Sequence, residues 1–489
     1  MTIILMILVL LAVYLIWYTV FRKSDLPPGP LKLPIIGNIW WLAMQKRRKV
    51  RIPVALCEVA KKHGDVIHFQ VGKENIVFLQ GFDAINEAFV NQADDFSLRP
   101  DRLTKDIQKQ GNGVVMENGN SHRVMQSFIM KYLNSDTAIV EKRILVEVEA
   151  ATDFLSSEKG GSLDIKLLLS MMVTNIIYNV LFSKRYDYSD ETLHKLINNL
   201  GTIFKSGSQI DATALIPTFI LKLAKNEKMT RAKQETAKAG QWVKDQVIEE
   251  IANHEATYNE SKLRDFVDVY IMERKKDPKN DIFTLDRLHY VIKDLFVAGS
   301  EASSVSLNWA ILYMQEYPDV QHRCQRELGE KCADRIVRLT DRGALVYLES
   351  TLLEIQRMSN VAETTLPHTT DKETSFRGYC IPKGSIVLAN LLSSNKDNRH
   401  WDEPDLFMPD RFLQDKAKKN PAFIPLGLGP RRCLGESLAK KEIFLIFTNL
   451  LQRFTFQREN ENVKHTFRCI DGQLTATPLP YKTKPVKRQ

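Results

Sequence analysis

Twenty-one residues without a charged side chain, MTIILMILVLLAVYLIWYTVF, begin the chain, and Arg22 and Lys23 follow at once. About 20 consecutive apolar residues are enough to cross a bilayer as a helix. A cleaved signal peptide would carry positive charge before the apolar run and a small-residue cleavage site after it, and neither is present. The pattern predicts a transmembrane helix over 1–21, with Arg22 and Lys23 holding the remainder in the cytosol. LPPGPLKLPIIGN (26–38) follows, and its four prolines cannot continue a helix, so 22–38 reads as a stiff connector.

From 39 to 489 the apolar positions recur mostly at helical spacing. LVYLESTLLEIQR (345–357) puts Leu345, Leu348, Leu352 and Ile355 on one face. ESLAKKEIFLIFTNLLQRF (436–454) does the same with Leu438, Ile443, Phe444, Phe447 and Leu450, and a long helix is expected from about Leu285 to Gln315. Strand alternation is rarer. VIHFQVGKENIVFLQG (66–81) alternates and turns at Gly72–Asn75, as a hairpin should, and FRGYCIPKGSIVLAN (376–390) is a second strand region. No repeat, low-complexity tract or break in composition divides 39–489. The expectation is one large domain, mainly α with small β-sheets.

Composition narrows this picture. A net charge of +9 favours acidic partners or anionic lipid. No basic tract with interleaved aromatics appears, so nucleic acid is not expected. The cysteines at 57, 324, 332, 380, 433 and 469 show neither CxxC pairing nor regular spacing, which argues against a disulfide framework or a zinc cluster. The sequon Asn259-Glu260-Ser261 would face the cytosol and stay unmodified.

One cysteine stands apart. In LGLGPRRCLGESLAKKE (426–442), Cys433 sits at the mouth of a helix, where unpaired amides and the helix dipole favour a thiolate. Gly427 and Gly429 permit backbone turns closed to other residues, and Gly435 leaves space for a flat ligand against the first helical turn. Arg431 is a permanent cation suited to a carboxylate. A thiolate, a flat face and a carboxylate-binding arginine together suit a haem held by cysteine.

These residues resemble the signature of the cytochrome P450 family, the haem-thiolate monooxygenases. It stands here as Leu426-Gly427-x-Gly429-x-Arg431-x-Cys433-x-Gly435, with leucine in place of the usual phenylalanine. Glu354-x-x-Arg357 and PDRF with Arg411 follow the family's order, and imply a buried ionic network beneath the haem. FSLRPDR (96–102), GNGVVMENG (111–119) and LPHTT (366–370) are similar to the microsomal branch that oxidises drugs and steroids, and place His368 at a haem propionate. The resemblance implies haem b, ligated by Cys433 and lying between the long central helix and the cysteine-loop helix. It further implies a lipophilic small-molecule substrate, an NADPH-dependent flavoprotein reductase as electron donor, and a single-pass location in the endoplasmic reticulum membrane with the catalytic domain in the cytosol. Arg432, Lys440, Lys441, Arg123 and Lys131 would form the basic face for that reductase.

Two stretches depart from the family. In AGSEASS (298–304), Ala298, Gly299 and Glu301 match the oxygen-binding segment, whose small pair makes room for dioxygen, but Ala302 replaces the threonine. Ser303 lies about 100° further round the helix and is no isostere. Glu301 is the expected proton relay, with Ser303 as intermediary. In NGNSHRVMQSF (118–128), His122 and Gln126 replace the tryptophan and arginine that meet the propionates, leaving His122 or Arg123 for that contact. The expected pocket wall comprises 98–116, about 203–215, Phe296 to Ser300, Ala362 to Leu366, and Gly472 to Leu474. By the resemblance ALIPTFILKLAK (214–225) would dip into the membrane, and as a bare sequence it reads equally as a buried helix. Two other readings stay open: a haem-thiolate isomerase or dehydratase acting on a lipid peroxide, which would not need the missing hydroxyl, and a non-catalytic haem- or sterol-binding protein.

Overall fold

The computed structural model describes Met6 and residues 25–101, 113–158, 161–214, 227–413, 420–470 and 474–488. The expected transmembrane helix lies outside these residues apart from Met6, as do 215–225 of the expected membrane-dipping stretch and parts of the expected pocket wall.

Twelve helices of ten or more residues occur among the described residues: α1 (Ile39–Arg48), α2 (Ile52–His63), α3 (Gly119–Ser135), α4 (Thr137–Ser157), α5 (Ile165–Phe182), α6 (Glu191–Ala214), α7 (Glu227–Thr257), α8 (Phe266–Lys276), α9 (Leu285–Glu316), α10 (Pro318–Cys332), α11 (Val346–Ser359) and α12 (Glu436–Arg453). The Thr284 hydroxyl accepts the Arg287 amide and starts α9. This helix then runs through the body against α5, α6, α7, α10, α11 and α12. Its partner α5 is apolar on all sides and nearly all buried, as a central core helix must be. It is the only described helix long and apolar enough to cross a bilayer, but 83% of that span is buried inside the protein, so it belongs to the core.

Four strands, β1 (Val66–Val71), β2 (Glu74–Leu79), β3 (His368–Thr369) and β6 (Ile386–Ala389), form the main sheet in the order β1-β2-β6-β3. β1 (Val66–Val71) and β2 (Glu74–Leu79) make the expected hairpin, turning at Gly72, where φ is +61°. The second strand region is divided between two sheets. β4 (Thr374–Phe376) and β5 (Tyr379–Ile381) form a separate hairpin around Arg377 and Gly378, both at positive φ as a tight primed turn requires. β6 (Ile386–Ala389) leaves them to pair parallel with β2 and antiparallel with β3 (His368–Thr369), which brings His368 to the sheet's end. β7 (Phe454–Arg458) and β8 (Thr483–Lys487) close a small sheet after α12.

Candidate functional site

The cysteine loop is fixed by its backbone. Gly427 and Gly429 take φ of +77° and +71°, and the Cys433 amide donates to the Leu426 carbonyl at 3.0 Å. A Cβ on Gly429 would lie 2.0 Å from the Phe89 carbonyl oxygen, so only glycine lets the loop rest there. Phe89 belongs to a single π-helical turn, Glu87–Asn91, and its ring stacks on His368 with centroids 4.2 Å apart. Cys433 is exposed, Gly435 caps the start of α12, and apart from its chain neighbours nothing lies within 4 Å of where a Cβ on Gly435 would stand. Partial desolvation pushes the Cys433 thiol up, and the Gly435 amide opposes this. Gln126 donates to the Pro430 carbonyl at 2.7 Å, so it braces the loop in place of binding an anion.

Beside the loop, four cationic or titratable side chains converge with little compensating charge. Arg431 donates to the Ser97 carbonyl (2.9 Å) and to Asn118 Oδ1 (2.8 Å), while its buried Nη1 has no partner. Asn118 also accepts the Arg99 amide and donates to the Arg99 carbonyl. The Arg99 guanidinium donates to the carbonyls of Val115, Leu366 and Pro367. Burial, with Arg431 beside it, lowers Arg99 to about 9, and burial lowers Arg431 to about 10. Burial and these two arginines depress His122 to about 4 and His368 to about 3, although the His368 Nδ1–H donates to the Phe96 carbonyl at 2.7 Å. A carboxylate among them would satisfy the orphaned Arg431 donor and oppose each depression, whose largest cause is burial. The residues therefore fit a flat, carboxylate-bearing group seated at Cys433. Arg99 and Asn118 were not singled out in the sequence, because their roles depend on a fold that sets them against Arg431.

The ionic network is closed. Glu354 and Arg357, both fully buried, make paired 2.8 Å hydrogen bonds. Arg411 Nε and the Met408 amide complete the Glu354 carboxylate, and Arg357 Nη1 reaches the carbonyls of Asn395 and Pro404.

A family model described as Cytochrome P450 matches residues 27–485. The chain is 35% identical to rabbit (Oryctolagus cuniculus) cytochrome P450 2B4, over 88% of its own length and 87% of the relative's. It is 32% identical to cytochrome P450 2C23 of Rattus norvegicus, covering 96% and 94%, and 30% identical to cytochrome P450 2U1 of Bos taurus, covering 97% and 92%. The chain belongs to the cytochrome P450 family. It is a monooxygenase, an oxidoreductase whose cofactor is haem b with a cysteine thiolate as axial ligand.

In this P450 two residues of the segment expected to bind oxygen, Ser303 and Gly299, make packing contacts that the sequence did not show. Ala298 is exposed, and Glu301, Ala302 and Ser306 are half-buried, so these residues mark the accessible strip of α9. Ser303 is not on it. Its hydroxyl is buried and bonded to Glu442 of α12 at 2.9 Å, which removes it from a relay with Glu301. Gly299 faces α5, where an added Cβ would lie 2.8 Å from Ile177 Cδ1. Helix packing against Ile177 therefore also requires its smallness. Arg123 is exposed, whereas its neighbour His122 is buried beside Arg99 and Arg431. Glu301 keeps its accessible position, with the Lys166 ammonium 3.8 Å away.

Proposed function

We propose that this cytochrome P450 is a membrane-anchored enzyme that hydroxylates or epoxidises a small lipophilic molecule, such as a xenobiotic, steroid or fatty acid. Its electrons would come from NADPH through a flavoprotein reductase, and its body would face the cytosol at the endoplasmic reticulum. The observation that carries the reading is the orphaned Arg431 donor among Arg99, His122 and His368, beside the Cys433 loop. Bound there, haem supplies dioxygen activation, with Cys433 as the electron-donating ligand. Arg99, Arg431, His122 and His368 would orient the group by its carboxylates. Ala298 and Ala302 would keep the facing strip of α9 small. Glu301, the acid on that strip, would pass protons inward from solvent, with Lys166 holding it near the surface end.

Ala302 and the diversion of Ser303 to Glu442 favour one other reading, isomerisation or dehydration of a lipid peroxide that brings its own O–O bond. Two measurements separate them. A strongly red-shifted Soret band of the reduced, carbon monoxide-treated protein reports thiolate-ligated haem. Product formation that requires NADPH and reductase then supports oxygenation. Rapid turnover of a lipid hydroperoxide without either would replace it with the second reading.

A further inference from the structure

Three helices leave an opening between them where α9 carries Glu301. α5 turns Lys166 and Ser170 towards it, four residues apart on one face. From α6 come Ile197, Asn198, Gly201, Phe204 and Lys205, again a single helical face. Glu301, Leu474 and Thr475 complete the wall of a cavity of about 160 Å³. Apart from its own helix and chain neighbours, nothing lies within 4 Å of where a Cβ on Gly201 would stand, so no neighbouring element fills the space there.

The polar groups on this wall lack partners within the fold. A buried serine inside a helix ordinarily donates to the carbonyl four residues back, as Ser350 does to Val346. Ser170 is only 8% exposed, yet its hydroxyl makes no hydrogen bond among the described residues, and neither does the Asn198 side-chain amide. The Lys166 ammonium approaches Glu301 Oε1 to 3.8 Å, beyond hydrogen-bond distance. Of the ionised side chains that line the cavity, Lys166 and Lys205 are cations and Glu301 is the one anion. Ile197, Phe204 and Leu474 give it an apolar flank. Donors enclosed in this way are costly until something accepts from them.

We propose that this cavity is a head-group subsite, and that the substrate is an amphiphile ending in a carboxylate, as a fatty acid does. Lys166, Ser170 and Asn198 donate to the carboxylate, and the first methylenes lie against Ile197, Phe204 and Leu474. Glu301 belongs both to this wall and to the accessible strip of α9, so a chain that starts here continues onto Ala298 and Ala302. A neutral sterol or hydrocarbon would leave the donors unpaired, and a site built to hydrogen-bond its substrate rejects ligands that lack the group. The inference narrows the substrate class proposed above and rests on that reading. Its test reads binding alone, so the two can fail separately.

Isothermal titration calorimetry of the haem-loaded full chain, without NADPH or reductase, compares laurate and palmitate with the matching alcohols and methyl esters. The acids should bind about ten- to a hundredfold tighter than the alcohols, the margin expected of charge-assisted hydrogen bonds shielded from water. That margin should shrink severalfold in Lys166→Gln and in Asn198→Leu, and by less in Ser170→Ala, while the affinity for the alcohols stays near the parent's. An intact carbon monoxide spectrum shows that each variant is folded and loaded. Acids that bind no tighter than their alcohols, or not at all, would overturn the subsite and leave the oxygenase reading standing. An acid preference unchanged in Lys166→Gln and Asn198→Leu would also overturn it, since the carboxylate would then sit elsewhere. Acid binding that is sensitive to both variants, with no NADPH-dependent product, would uphold the subsite and remove the oxygenase reading.

Discussion

Ser303 of α9 and Glu442 of α12 meet across the interface of the two helices expected to bracket the haem, Oγ to Oε2 at 2.9 Å. Glu442 is buried, its other oxygen has no partner, and burial pushes its carboxyl up to about 8. The native state therefore holds this proton more tightly than the unfolded chain does. Its contribution to stability is full below the ordinary glutamate range, near pH 4, and is lost as pH rises towards about 8. Glu442→Gln keeps a hydrogen-bonding amide and removes the titration. Melting temperatures between pH 5 and 8.5 should fall with pH in the parent and flatten in the variant, which becomes the more stable of the two at the alkaline end. Parallel curves would show that Glu442 does not carry the slope.

The cluster around Arg431 makes a prediction about cofactor retention. Arg431→Leu and Arg99→Leu each remove a cation from a desolvated site, and a charge-assisted hydrogen bond there is worth about 1.5–3 kcal/mol. Both variants should retain haem roughly ten- to a hundredfold less well when challenged with apomyoglobin. Arg123→Leu, at an exposed position one residue from His122, should behave as the parent. Equal loss from all three would place the propionates elsewhere.

Gly299 tests helix packing. The Cβ introduced by Gly299→Ala meets the end of the Ile177 side chain at 2.8 Å, so Ile177 must shift. Overpacking of this kind costs about 1–3 kcal/mol. Gly299→Val should cost more, and Ile177→Ala should recover much of the loss in the double variant. A thermal-denaturation cycle reads the coupling. Additive effects would return Gly299 to the role expected from sequence.

Much of this was legible in the chain because it is local. The cysteine loop, the hairpin at Gly72 and the face of α11 each follow from spacing within about twenty residues. Glu354 and Arg357 were legible for the same reason, being one helical turn apart. The misses are long-range. Asn118 matters only because α3 begins where Ser97 and Arg431 meet, and Glu442 matters only because α9 and α12 present Ser303 to it. Ser303 was expected as an intermediary for Glu301 from its nearness in sequence. A 100° step along a helix changes which neighbour a side chain faces, and periodicity alone does not say which neighbour that is. Division of 376–390 between two sheets was hidden similarly, since strand pairing is non-local.

Ala302 carries the last prediction. It lies on the accessible strip of α9, and its carbonyl already accepts the Ser306 hydroxyl at 2.8 Å. Ser303 is committed to Glu442, so among the described residues no side-chain hydroxyl between Ala298 and Ala302 replaces the missing threonine on that strip; Ser300, the one hydroxyl there, is buried. Ala302→Thr would add one that can bond back to the preceding turn and hold a water beside Glu301. With a coumarin ether as reporter, the variant should release several-fold less peroxide per NADPH and form correspondingly more product. Ala302→Val fills the same volume without the hydroxyl and should show no such gain. If the two variants improve alike, shape and not proton delivery limits this enzyme. If neither changes coupling, the reaction does not depend on an alcohol at this position, and the peroxide-rearranging alternative gains ground.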